Sequence, residues 1–155
     1  MANGNQFVSR HRWRFEQSYN AEVARENIRR HKVEDKVRLL VGDLFQPVSN
    51  QERFDLIVSN PPYVTDGEIT TLPPDVRDHE PHLALAAGED GFEVIRKLVD
   101  QAPAHATAEG WLMFELADEQ AESAADLLKS KGYREVAIKR DLGGLARVVI
   151  GKVPA

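Results

Sequence analysis

Phe54-Asp55-Leu56-Ile57-Val58-Ser59-Asn60-Pro61-Pro62-Tyr63 is the stretch around which the chain is organised. Its first half is short, β-branched and apolar on both faces, the pattern of a strand buried in the middle of a parallel sheet. Such a strand ends at the carboxyl edge of the sheet, where open α/β folds place their ligands. The two prolines fix φ and remove two backbone donors, so the chain leaves the strand in a stiff, extended turn that cannot continue as a helix. That turn holds Asn60. The Asn60 side-chain amide and the Pro61 carbonyl suit a planar –NH2 group, and the Tyr63 ring offers a stacking face. The plain alternative is a proline-stiffened turn with an asparagine cap.

Outward from this stretch, the composition sets bounds. A chain of 155 residues with 42% hydrophobic and 29% charged residues has the size and balance of one soluble domain with a real core. A formal charge of −5 argues against a broad nucleic-acid surface, which needs clustered Lys and Arg to neutralise phosphate. With no cysteine in the chain, disulfides and thiolate metal sites are excluded, and a reducing compartment fits. No apolar run approaches a membrane span and no signal peptide is visible, which makes the cytoplasm the default location.

Taken in order, residues 1–6 are polar and expected to fray. Phe7, Ser9, His11, Trp13 and Phe15 alternate with Val8, Arg10, Arg12 and Arg14, the pattern of a half-exposed strand ending at Glu16. Ser18 or Asn20 is placed to cap a helix over residues 21–31, with Val23, Ala24, Asn27 and Ile28 inward and Arg29, Arg30 and His31 in its last turn. Val37 to Val41 reads as the next strand, ending in Gly42-Asp43. After Tyr63, the segment 65–88 contains Pro73, Pro74 and Pro81 and reads as long and mostly irregular, a common build for a lid. A helix is expected over 90–101, a central strand over 111–116, and a helix over 119–131 closed by Gly132. Strands over 133–140 and 147–152 joined through Gly143-Gly144 complete an α/β pattern with a closing hairpin.

Asn-Pro-Pro-Tyr after a strand resembles the motif of S-adenosylmethionine (SAM)-dependent methyltransferases that act on planar nitrogens. The element order looks like the class I methyltransferase fold: a Rossmann-like α/β domain with a mostly parallel sheet and a C-terminal antiparallel hairpin. More specifically, residues 21–151 resemble the catalytic domain of the release-factor glutamine methyltransferases, the HemK/PrmC family. Besides the central motif, the resemblance rests on Glu22-Val23-Ala24-Arg25-Glu26-Asn27, Gly42-Asp43-Leu44, Val76-Arg77-Asp78-His79-Glu80-Pro81, Gly88-Glu89-Asp90-Gly91, Glu115-Leu116-Ala117-Asp118-Glu119-Gln120, and Asp141-Leu142 with Arg147-Val148-Val149. The resemblance implies Asn60 and the Pro61 carbonyl as holders of the acceptor amide, and Pro62 and Tyr63 as walls of its pocket. Asp43, followed by Leu44, is implied on the SAM adenine, against the alternative of a turn acid after glycine. Glu16 falls near the family's ribose-binding acid, against the alternative of a solvated strand-end charge. His79 and Glu80 lack a third ligand nearby, so no metal site is expected, and the resemblance implies that they order the loop. Arg147 is expected to pair with Asp141.

The departures matter as much. Family members open this domain with a strand and a Gly-rich loop whose backbone approaches the methionine part of SAM, and no Gly-x-Gly occurs in this chain. The sequence therefore reads as a single, partial methyltransferase domain truncated on its N-terminal side. One reading is an enzyme that methylates a side-chain amide of a release factor, with SAM bound weakly or not at all by the lone chain. A second is a catalytically dead remnant serving as an oligomeric binding module. Methylation of a nucleic-acid adenine is a third, disfavoured by the net charge. A missing first strand would leave unpaired edges, so a homodimer is expected, with Phe7, Trp13 and Phe15 covered in it.

Overall fold

In the computed structural model the described residues are 17–71, 73 and 85–154. The elements are α1 (Gln17–Arg30), β1 (Phe54–Ser59), α2 (Asp66–Ile69), α3 (Glu93–Gln101), β2 (Ala106–Glu115), α4 (Ala121–Ser130), β3 (Arg134–Arg140) and β4 (Ala146–Lys152). Short 3-10 turns at Ala102–His105 and Asp118–Gln120 lead into β2 and α4. The four strands form one sheet in the order β1-β2-β4-β3. β1 and β2 run parallel, with Ile57 opposite Leu112 and Ser59 opposite Phe114. β4 lies antiparallel between β2 and β3, closing the chain as a hairpin.

Alternation along β2 decides which side of the sheet is buried. Leu112 and Phe114 are fully buried, together with Ile95, Leu98 and Val99 of α3 and Ala124, Ala125 and Leu128 of α4. Both helices present apolar residues at helical spacing to one core, so each fixes its face by the same burial that fixes the strand. The helix–sheet distance is short at Gly151, where an added Cβ would lie 3.1 Å from Leu128 Cδ1. α4 ends as its sequence requires: Gly132 takes φ +81, a conformation that spares glycine the Cβ clash, and Tyr133 N–H returns to the Leu128 carbonyl at 3.0 Å. Buried Tyr133 donates its hydroxyl to the Val99 carbonyl at 2.8 Å and so ties the start of the hairpin to α3. Burial pushes that phenol's pKa up, keeping it a neutral donor. At the hairpin tip Asp141 accepts from Gly143 and Leu145 N–H, and Arg147 Nε donates to it at 3.2 Å, the expected pair.

Three expectations are corrected. Val37 to Val41 forms no strand; it runs irregularly from the turn after α1 into Gly42. An isolated strand has no partners for its backbone groups, and no described strand lies beside it. β1 is an edge strand rather than a central one among the described residues, since β2 is its one neighbour. Leu56 and Val58, on the face opposite Ile57, are consequently exposed at 43% and 39%. α1 starts at Gln17, so neither Ser18 nor Asn20 caps it, and its expected inner side is not buried: Val23 is 43% exposed. Residues 1–16, with the expected N-terminal strand and Glu16, and the His79–Glu80 segment lie outside the described residues. No described helix is long and apolar enough to cross a membrane.

The two sides of β1 and β2 should therefore respond differently to truncation. Phe114→Ala should cost about 3–5 kcal/mol, whereas Leu56→Ala, with much of its side chain already in water, should cost less than about 1 kcal/mol. Urea unfolding of both variants checks the contrast, and equal losses would place β1 in the centre of the sheet after all.

Candidate functional site

β1 delivers the chain to the carboxyl end of the parallel pair, and the Asn60 turn stands there. Asn60 itself is exposed, Pro61 and Pro62 are buried, and Tyr63 is half-buried against the core. The burial is what makes the turn rigid: φ is locked by both rings, and the rings are held in place by packing. Asn60 thus has its side chain at the surface on a backbone that cannot easily move.

Beyond the prolines, successive backbone groups are engaged. The Tyr63 carbonyl accepts from Gln120 Nε2 at 3.0 Å. Val64 N–H donates to the Leu85 carbonyl at 3.0 Å and the Val64 carbonyl accepts from Ala87 at 2.9 Å, a short parallel bridge between Val64 and Ala86. Asp66 N–H donates to Gly88 at 3.1 Å. Thr65 then caps α2 through a capping box: its hydroxyl accepts from Glu68 N–H at 3.3 Å, and the Glu68 carboxylate accepts from Thr65 N–H at 3.0 Å. The Thr65 hydroxyl also donates to Glu68 Oε2 at 2.6 Å, and these bonds hold the Glu68 carboxyl below the usual glutamate range.

The expected cofactor residues are arranged otherwise. The Gly42–Val48 turn is tight: an added Cβ on Gly42 would lie 2.7 Å from Pro47 Cδ, and Leu44 adopts φ +43. This geometry leaves Asp43 exposed and buries Leu44, Phe45 and Val48. Phe45 stacks on His105 at 4.6 Å between ring centroids, and His105 immediately precedes β2. The anchor of this turn is therefore at the amino end of the parallel pair, and Asn60 is at the carboxyl end. None of the described hydrogen bonds or ring contacts joins Asp43 or Leu44 to the Asn60 turn. Glu16 lies outside the described residues.

Whether the residues present fit SAM turns on open backbone, which only glycine provides for close approach. Gly42 is filled by Pro47. An added Cβ on Gly88, at φ +82, would meet Glu93 Oε2 at 3.3 Å. On Gly91, at φ +74, it would meet Gln120 Nε2 at 2.4 Å and the Tyr63 carbonyl oxygen at 2.6 Å. Gly42 and Gly91 are thus closed by the chain's own atoms, whereas Gly67, in α2, has open space where a Cβ would stand. Gln120 was not singled out from the sequence as a site residue. Its one signal is a polar amide in the first turn after the apolar run Trp111-Leu112-Met113-Phe114.

Comparisons with known proteins bear on the family and the fold. Residues 12–73 match the family model described as methyltransferase small domain. A release factor glutamine methyltransferase of Thermosynechococcus vestitus is 41% identical over 135 residues, which cover 86% of this chain and 46% of that protein. This chain is a relative of the release factor glutamine methyltransferases. It spans about half the length of the curated relatives it matches. A methyltransferase from Pyrococcus furiosus superposes with a TM-score of 0.65 at 19% identity, covering 97% of this chain and 64% of that one. A release-factor-specific protein-(glutamine-N5) methyltransferase from Alicyclobacillus acidocaldarius gives 0.51 at 18% identity, covering all of this chain and 83% of that one. The fold is that of class I SAM-dependent methyltransferases, present here in part.

The depressed Glu68 carboxyl makes a pH prediction next to the site. A lowered folded pKa means that the capping box contributes fully above about pH 4.3, the unfolded glutamate value, and is lost as pH falls through the lower folded value. A carboxyl titration followed by NMR should give a Glu68 midpoint below the usual glutamate value of about 4.3, with Thr65 N–H shifting at the same midpoint.

Proposed function

We propose that this chain is the acceptor-binding part of a protein-glutamine N-methyltransferase, with a release-factor glutamine loop as its substrate and SAM as the methyl donor. The observation that carries the reading is an exposed Asn60 on a turn immobilised by two buried prolines at the carboxyl end of a parallel strand. An amide nitrogen is a poor nucleophile because its lone pair is delocalised into the carbonyl. The Asn60 side-chain oxygen and the Pro61 carbonyl each accept one N–H of the substrate –NH2, orienting the nitrogen and drawing its protons away from the lone pair. Pro62 and Tyr63 wall the acceptor pocket. These are positioning and electrostatic effects, which require the rigidity that the buried prolines provide.

Asp43, with Leu44, and Glu16 are the residues assigned to the cofactor on the same reading. With Gly42 and Gly91 closed by the chain's own atoms, the chain as it stands binds SAM weakly on this reading. On this reading the chain pairs with a second copy of itself. β1 has no described neighbour on its second edge, and its Leu56 and Val58 are 43% and 39% exposed. An open edge beside apolar side chains is a pairing surface, and a homodimer covers both at once. The competing reading, a remnant that binds and does not catalyse, is favoured by the same filled glycines.

Label transfer from methyl-labelled SAM to a glutamine-containing release-factor peptide tests the function. Asn60→Ala should lower turnover by about 100-fold while SAM affinity changes less than about twofold. Unchanged turnover would remove Asn60 from its role, and a wild-type chain that takes up peptide but transfers no label would select the remnant.

Self-association has its own measurement. Sedimentation at micromolar concentration should show a dimer, and a charge at the open strand, Val58→Lys, should shift it to monomer. A clean wild-type monomer that binds SAM tightly would overturn both the dimer and the incomplete cofactor site.

A further inference from the structure

Gln120 is among the few buried polar side chains of the described residues, and both ends of its amide are used. Its Oε1 accepts from Ala117 N–H at 3.2 Å and its Nε2 donates to the Tyr63 carbonyl at 3.0 Å. The orientation of the amide follows from its partners, because an N–H needs an acceptor and a carbonyl needs a donor. One end is thereby fixed to the start of the Asp118–Gln120 turn, directly after β2. The other holds the backbone 57 residues earlier in the chain, at the last residue of the Asn-Pro-Pro-Tyr motif.

Neighbouring contacts show that the bond occupies a built position. Gly91, at φ +74, passes so close that any Cβ would strike Gln120 Nε2 and the Tyr63 oxygen together. Three segments meet there: the turn after β1, the loop before α3 and the turn after β2. Pro61 and Pro62 have no N–H to donate, so the turn has few backbone bonds of its own with which to hold its place. A part-buried carbonyl held away from water needs a donor, so the Tyr63 oxygen keeps the turn where Gln120 is.

We propose that Gln120 is a positioning residue for the acceptor site: its amide sets the placement of the Asn60–Tyr63 turn relative to β2. The proposal rests on the reading of that turn as the amide holder, yet its structural content can be measured without any methyl transfer. Gln120 acts through Tyr63 and touches no substrate. An amide is the group that suits the place, because Ala117 N–H requires an acceptor and Tyr63 a donor at the same time.

Gln120→Leu removes both bonds at similar volume. Hydrogen exchange followed by NMR should show Val64 and Ala87 amides exchanging at least about tenfold faster, with Phe114 in β2 changing less than about threefold. Gln120→Glu supplies the diagnostic. The ionised carboxylate still accepts from Ala117 but repels the Tyr63 oxygen, so at pH 7.5 this variant should match Gln120→Leu. Burial beside a carbonyl raises its pKa above the usual value of about 4.3, and the protonated acid donates to Tyr63 again. At about pH 5 the Glu variant should therefore regain slow Val64 exchange relative to the Leu variant at the same pH. Uniformly faster exchange across the chain, or a Glu variant that is not rescued, would make Gln120 an ordinary packing residue and overturn the proposal. If Gln120→Leu does not fold, Gln120→Asn, one methylene too short to span both partners, takes its place with the same expected contrast. Failure of Asn60→Ala to affect turnover, with the exchange contrast intact, would instead sink the reading of the site and leave the clamp standing.

Discussion

Burial of the Leu112 and Phe114 face of β2 is the constraint on which the rest of the structure depends. β2 has neighbours on both sides, β1 parallel and β4 antiparallel, and α3 and α4 add their apolar residues to the same core. Each of these elements gains its place by removing apolar surface from water against the same few side chains. With that face fixed, the register with β1 places Ser59 opposite Phe114 and brings Asn60 out at the carboxyl end of the sheet. The candidate site is therefore a consequence of core packing some residues away from it.

The opposite side of the molecule lacks such an organiser among the described residues. Val23 of α1, Val41, and Leu56 and Val58 of β1 are all exposed, and all precede the Asn-Pro-Pro-Tyr turn or lie in the strand leading to it. In the same part of the chain, Leu44, Phe45 and Val48 are buried and join the core.

Rigidity at the site comes from unlike sources acting together. Proline rings fix φ, packing holds the rings, and the parallel bridge from Val64 to Ala86 and the capping box at Thr65 secure the chain beyond. The Gln120 amide joins this arrangement to the far end of β2. Each bond is modest in net worth, about 1 kcal/mol, but together they leave the turn few alternative conformations.

From the sequence alone, the elements whose signals are local were legible: the apolar runs of β1 and β2, the Gly132 stop of α4, the Gly143-Gly144 hairpin and the Asn60 turn. Local chemistry decides these, through fixed φ at proline, positive φ at glycine and the period of apolar residues. The family relationship was legible too, because it resides in short strings such as Asn-Pro-Pro-Tyr and Gly42-Asp43-Leu44. Tertiary structure alone decided that Val37 to Val41 is no strand and that Leu56 faces water, since a strand exists only where another strand accepts its hydrogen bonds and a face is buried only where something covers it. It also decided where the Asp43 turn is anchored, through the stacking of Phe45 on His105. The same holds for Gln120: its amide reads as an ordinary polar residue in a first helical turn, and only the fold sets it against the Tyr63 carbonyl, because a contact across 57 residues has no local signature.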